Sequence, residues 1–151
     1  MKPHARHKAR ALVLQAIFQW QFAANGISDI EEQYLAELNP KKADAEYFSD
    51  LLRGTIKNIE ATDAVIAPFL DRKMKDLNQV ECAVLRLAVY ELMYRLDVPY
   101  KVIINEALEL TKKFGSIEGY KYVNGVLDKI AHSSQIMAIR PVKKAVAETV
   151  L

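Results

Sequence analysis

The sequence predicts an all-α protein, a compact bundle of about seven helices joined by short connections, and three observations carry that reading. Apolar residues recur at helical spacing from end to end. Five glycines and five prolines in 151 residues leave little material for hairpin turns. The stretch from Asn78 to Leu96 contains neither residue and is rich in good helix formers. Within it, Val80, Val84, Leu87 and Ala88 fall on one stripe, and Leu85, Val89, Leu92, Met93 and Leu96 on an adjoining one. So wide an apolar surface requires other helices on nearly every side.

The remaining elements follow in order. Pro3 suits the first turn of a helix that should run to about Ala24 and stop at Asn25-Gly26. Ala9, Leu12, Val13, Ala16, Ile17, Trp20 and Ala24 form its inward stripe. Leu14, Phe18 and Phe22 repeat on the other side, and either a helix of the same chain or a partner must cover them. Ser28 with Glu31 predicts a capping box opening a short helix through about Leu38. Phe48, Leu51, Leu52, Thr55, Ile56 and Ile59 mark a third helix. Thr62 is placed to cap a fourth, which Pro68 should bend or shorten. Asp71 to Asp76 reads as a charged connection.

Asn78, with Glu81 three residues on, should open the central helix, the amide capping the first turn and the carboxylate reaching back. Asp97-Val98-Pro99 ends it. Ile103, Ala107, Leu110, Thr111 and Phe114 share one face of the next helix, which Gly115 caps. Ser116 to Gly119 reads as a turn. A last helix runs from about Tyr120 to His132 with Val123, Leu127 and Ile130 inward. No strong pattern is visible from about Ser133, so 1–132 reads as the domain and 133–151 as a poorly ordered tail.

Composition narrows the function. The chain is 51% hydrophobic and 26% charged, as expected of a globular domain with its own core. Cys82 is alone, so no internal disulfide can form, and it reads as a core residue or as a thiol. No apolar run approaches the roughly twenty residues of a membrane helix. The N-terminal basic residues before Ala11-Leu12-Val13-Leu14 imitate a secretory signal, but Gln15, Gln19 and Gln21 interrupt it. His4, His7 and His132 lack metal-ligand spacing, and no phosphate-cradling loop or nucleophile elbow occurs. Glu106 and Glu109 read as a solvated helix face. No catalytic site, metal or cofactor is expected.

The net charge is only +2, yet Lys2, His4, Arg6, His7, Lys8 and Arg10 all precede the first carboxylate, Asp29. Lys2, Arg6 and Arg10 lie four apart, so a helix would make them one basic ridge that neutralises phosphates without reading sequence. Cations at a helix start also oppose its dipole, which suggests a purpose other than stability. Tyr120 and Tyr122 flank Lys121 near Asn124, supplying stacking surfaces, charge and a base-edge partner for single-stranded RNA. Gly125 in mid-helix admits close approach, by a packed helix or by a ligand. The expectation is that the cationic beginning and the tyrosine-bearing helix lie on one side and grip one strand together.

Several stretches also resemble a known family. Met1-Lys2-Pro3, Ala5-Arg6, Ala9-Arg10, Gln15-Ala16 and Trp20-Gln21 are similar to the start of the NusB antitermination factors. So are Gln79-Val80-Glu81, Ala83-Val84-Leu85-Arg86 and Tyr90-Glu91-Leu92. The most specific stretches are Asp97-Val98-Pro99-Tyr100-Lys101-Val102 with Ile104-Asn105-Glu106-Ala107, and Lys121 to Lys129. The resemblance spans about Met1 to Ala131. It implies two packed helical subdomains and binding of boxA RNA together with the ribosomal protein NusE, in a complex with RNA polymerase and other Nus factors that suppresses termination on ribosomal RNA operons. It implies RNA contacts at Lys2, Arg6, His7, Arg10, Lys121, Tyr122 and Asn124. It implies NusE contacts at Phe18 and Glu81, with Phe22 on the same apolar face.

Departures accompany it. His7 stands where an arginine is usual, Tyr122 replaces a phenylalanine, and Ile117-Glu118-Gly119 replaces a more polar turn. Domains of this kind also precede RNA cytosine methyltransferases, but 151 residues leave no room for a cofactor-binding α/β domain. A cytoplasmic adaptor, monomeric or weakly dimeric, without membrane association is therefore expected. The alternative is a helical homodimer that uses the Phe18 and Phe22 face and binds no RNA.

Overall fold

The computed structural model describes residues 3–23 and 26–140. In chain order the helices are α1 (Pro3–Phe22), α2 (Ile27–Glu37), α3 (Ala45–Lys57), α4 (Ile59–Ile66), α5 (Gln79–Tyr94), α6 (Tyr100–Phe114), α7 (Ile117–Ala131) and α8 (Ser134–Ile139). Two 3₁₀ turns, Ala67–Phe69 and Met74–Asp76, lie between α4 and α5, the first at the bend that Pro68 imposes. No strand occurs among the described residues.

α5 is the axis. α1, α6, α7, α4 and α3 follow one another around it, each packed on α5 and on its neighbours in the ring. Every residue of α5 from Cys82 to Leu92 except Arg86 is buried, as its all-round apolar pattern demands. α1, α2 and α3 pack as one group and α4 to α8 as another, joined where α1 and α3 meet α5. α1 runs antiparallel to α5: Gln21 donates to Gln79 at 2.9 Å at one end, and Arg10 donates to Glu91 at 2.8 Å at the other. α7 starts where α5 starts, because Gly119 leaves room for the Glu81 carboxylate; a Cβ there would meet it at 2.7 Å.

Several helix starts differ from expectation. α2 begins after Gly26, which is extended and makes no side-chain cap. Ser28 therefore lies inside the helix, and Glu31 turns inward to pair with Arg53 at 2.6 Å. α4 begins three residues before Thr62, with Asn58 as the joint to α3, and the Thr62 hydroxyl donates to the Ile59 carbonyl at 3.0 Å. Asn78 does cap α5, accepting from the Val80 and Glu81 amides, but Glu81 faces Gly119 rather than reaching back. Ser116 to Gly119 is not a turn: Ser116 caps α7 by accepting from the Gly119 amide at 3.0 Å. α1 ends at Phe22, and Ala24 lies outside the described residues.

The largest correction concerns the end of the chain. Ser134–Ile139 forms α8, with Ile136 buried, where the sequence shows no strong pattern. Arg140 then folds back, and its guanidinium donates to the carbonyls of Leu92, Val98, Glu91 and Arg95 at 2.8, 2.7, 3.1 and 2.7 Å. These carbonyls lie at the end of α5, where helical donors run out. The packed unit thus reaches Arg140 rather than His132; residues 141–151 lie outside the described residues. Arg140→Met should lower unfolding free energy by about 1–3 kcal/mol, because buried carbonyls lose their donors. A urea midpoint equal to wild type would mean that water replaces the guanidinium without penalty.

Candidate nucleic-acid and partner interface

At the basic end, Arg10 is 3% exposed. Its Nε donates to Glu91 Oε1 at 2.8 Å, and its Nη2 donates to Glu91 Oε2 and to the Tyr47 hydroxyl, each at 2.9 Å. Its Nη1 donates to Glu106 at 3.2 Å. The Tyr47 hydroxyl also bonds Glu91. Burial works against the Arg10 charge, but the Glu91 bonds and neighbouring carboxylates outweigh it and hold its pKa above the ordinary arginine value. Burial first, and then Glu91, push the Tyr47 phenol up. Arg10 is therefore not available to a phosphate.

The predicted ridge is corrected accordingly. Arg6 lies over the Tyr47 ring at 4.2 Å and 3.5 Å from Asp97, and its buried Nε–H has no acceptor. His7 Nδ1 is 2.9 Å from Glu106. Lys2 lies outside the described residues. The carboxylates that meet this arm come from α5, α6 and Asp97, far along the chain. Absence of early acids in the sequence did not mean their absence in space.

Along α7, from its second turn to its middle, Lys121, Asn124 and Gly125 face solvent. A Cβ on Gly125 would meet nothing within 4 Å, so helix packing does not explain this glycine. Tyr122 packs against the core, and its hydroxyl donates to Asp71 at 2.9 Å. The Arg72 guanidinium lies 4.7 Å above its ring, over the face on which a base was expected to stack. Arg72 had no signal in the sequence beyond membership of a charged connection. Lys112 approaches the Tyr120 ring at 5.6 Å.

The third group is apolar. Along α1, Leu14 is buried, Phe18 is 37% exposed and Phe22 66% exposed, so the face is covered at one end and open at the other. Phe18 and Phe22 meet edge to face at 5.0 Å. Beside them is a groove of about 380 Å³ lined by Leu14, Phe18, Tyr34, Val80 and Phe114. Glu81 follows Val80, and burial raises its carboxyl pKa. A second hollow, about 630 Å³, lies across the end of α1 between Trp20, Met74, Cys82 and Arg86. Cys82 is itself buried, and that burial pushes its thiol up, as a core cysteine requires.

The three groups sort onto two ends. Arg6, His7 and Arg10 cluster where α5 finishes. Tyr122, Lys121, Glu81 and the Phe18 groove cluster where it begins. Glu81, in the first turn of α5, and Tyr94, at its end, are separated by about 20 Å at the helical rise, and α6 lies between α1 and α7. Arg6, beside Asp97, and Tyr122, beside Asp71, thus lie toward opposite ends of α5, so one strand meets both only by running along the molecule. No group of three or more metal-ligating side chains gathers among the described residues, and no described helix is long and apolar enough to cross a membrane. Glu91→Gln should destabilise the fold by about 3 kcal/mol, because it leaves the Arg10 charge buried without its main counter-ion. Thermal and urea melts check this, and an unshifted transition would show that Glu106 and Tyr47 suffice.

Residues 7–132 match the sequence model of the NusB family. The transcription antitermination protein NusB of Idiomarina loihiensis is 55% identical over 129 residues, covering 85% of this chain and 93% of that protein. Among solved structures, NusB of T. maritima superposes with a TM-score of 0.73 at 32% identity, over 88% of this chain and 96% of that one. An antitermination factor NusB solved with NusE and double-stranded RNA superposes with a TM-score of 0.78 at 28% identity, over 85% and 97%. With the family model spanning most of the bundle, the chain belongs to the NusB family.

Proposed function

We propose that this chain is a transcription antitermination factor that holds boxA-type single-stranded RNA together with NusE. It acts in the cytoplasm beside RNA polymerase and other Nus factors, and it has no catalytic role. Family membership supports the reading, as does the likeness to a NusB solved with NusE and RNA. The observation that carries the RNA part is Gly125. Glycine in an exposed helix interior costs about 1 kcal/mol relative to alanine, and no neighbour needs the space. A ligand approaching the Lys121, Asn124 and Gly125 face does need it.

The strand is met at two stations rather than one. Arg6 supplies charge at one end, with His7 beside it and Lys2 earlier on the same arm of the sequence, and Lys121 and Asn124 supply contacts at the other. Arg10 acts by fixing the arm, not by touching RNA. NusE takes the groove at Phe18, with Phe22 and Glu81 at its rim. The exposure of Phe22 also fits a homodimer, and light scattering with and without NusE separates the two: a tight dimer that NusE cannot disrupt would displace the adaptor reading.

Gly125→Ala should raise unfolding free energy by about 0.5–1 kcal/mol while weakening RNA binding. A stabilised variant with unchanged RNA affinity would remove this face from the interface. A salt titration of boxA RNA binding should have a log–log slope of about −2, since roughly three phosphates are neutralised on a single strand. A flat titration would count against cationic contact, and equal affinity for duplex RNA would count against a single-strand preference.

A further inference from the structure

Asp71 and Arg72 lie in the joint between the two 3₁₀ turns, at the surface beside α7. Arg72 Nε donates to Asp71 Oδ1 at 2.7 Å and its Nη2 donates to Oδ2 at 3.1 Å, a two-pronged pairing. The Tyr122 hydroxyl donates to the same Oδ1 at 2.9 Å. Three donors thus converge on one carboxylate, and the guanidinium carbon lies over the Tyr122 ring, 4.7 Å from its centroid. This is how a protein presents arginine to a phosphate: over an aromatic ring, with its fork directed at two oxygens.

From this geometry we infer that Arg72 is a phosphate-contacting residue of the RNA site and that Asp71 is an internal stand-in for that phosphate, which the RNA must displace. The inference rests on the RNA-binding reading above and extends it to residues outside the predicted contacts. The side chains of Arg72 and Asp71 are 44% and 64% exposed, so the pair is wet and weak enough to exchange. Its pairing with Arg72, and then the Tyr122 bond, hold the Asp71 carboxyl down at about 2, so the stand-in stays charged at neutral pH. Exposed Lys121, next to Tyr122, adds positive charge where the strand would lie. Tyr122 on this account is a platform for Arg72, not for a base. Asp71 keeps the fork aligned without RNA and sets a threshold that weakly bound anions do not pass.

The test is a double-substitution cycle on the full chain, with boxA-type single-stranded RNA as the probe and affinity read across a salt series. Arg72→Gln should weaken binding about tenfold and reduce the salt slope by about 0.7, the signature of one lost phosphate contact on a single strand. Asp71→Asn should tighten binding several-fold, and should have no effect when Arg72→Gln is already present. Unchanged melting of each variant would place these effects at the site. Wild-type affinity in Arg72→Gln would overturn the inference while leaving RNA binding intact. Equal tightening by Asp71→Asn with and without Arg72 would overturn it too, reducing Asp71 to a diffuse negative charge. A wild-type chain that holds no RNA would overturn both this inference and the reading beneath it.

Discussion

A guanidinium that is only 3% exposed has to be neutralised by groups brought to it, and those around Arg10 come from three other helices. Glu91 of α5 takes two of its donors, Tyr47 of α3 takes one, and Glu106 of α6 takes another. Separating α1 from α5 would strand charge in a low-dielectric interior, a penalty larger than most single contacts carry, and withdrawing α3 would leave a buried N–H and a carboxylate oxygen short of a partner. Apolar packing brings the same helices together but tolerates sliding. The ion network does not, because a carboxylate offset by one residue on α5 would point elsewhere. The interaction is therefore a statement about register more than about stability.

The network extends to the surface in a graded way. Tyr47 carries Arg6, Arg10 and Arg95 around its ring at 4.2, 5.1 and 4.6 Å. Arg95 pairs with Asp50 and Asp97, and Asp97 also faces Arg6. Positive groups close-packed in this way would repel one another without the interleaved carboxylates. Of these carboxylates Asp97 alone meets Arg6, at 3.5 Å, and the buried Arg6 Nε stays unpaired. Arg140 completes the arrangement by saturating the carbonyls at the end of α5, and so fixes the base on which Arg95 and Asp97 stand. The basic end is thus a prepared surface rather than a loose tail of charge.

What the sequence made legible follows from where the information lies. α5 could be read because its burial is written in its own apolar residues, and α3 because its period is unbroken. The joint at Asp97-Val98-Pro99 was clear for the same local reason. α8 was not, since six residues are too few to display a helical period, and Arg140 is justified only by carbonyls some 40 to 50 positions earlier. Arg10 was misread because residues four apart do share a helical face, but a sequence does not say whether that face meets water or a distant carboxylate. Tyr122 stands out in the sequence as aromatic and polar, yet its covering group, Arg72, comes from a connection with no periodic signal. The apolar face of α1 held both of its readings at once, covered at Leu14 and open at Phe22.

Register links the two ends. α1 is a single helix from the basic arm to the aromatic pair, so the rotation that puts Arg10 onto Glu91 also fixes Phe18 about 12 Å further along. A turn of α1 by one residue, about 100°, would bury a different side chain at each end. With Arg10 locked, Phe18 can only lie against Val80 and Phe114, and Phe22 can only project beyond them. Gln21, bonded to both Gln79 and Arg86, confirms the same register at that end. The charged residue that the sequence offered as a ligand contact thereby aims the apolar surface at the opposite end. It does so from inside the bundle, bonded to Glu91, Tyr47 and Glu106.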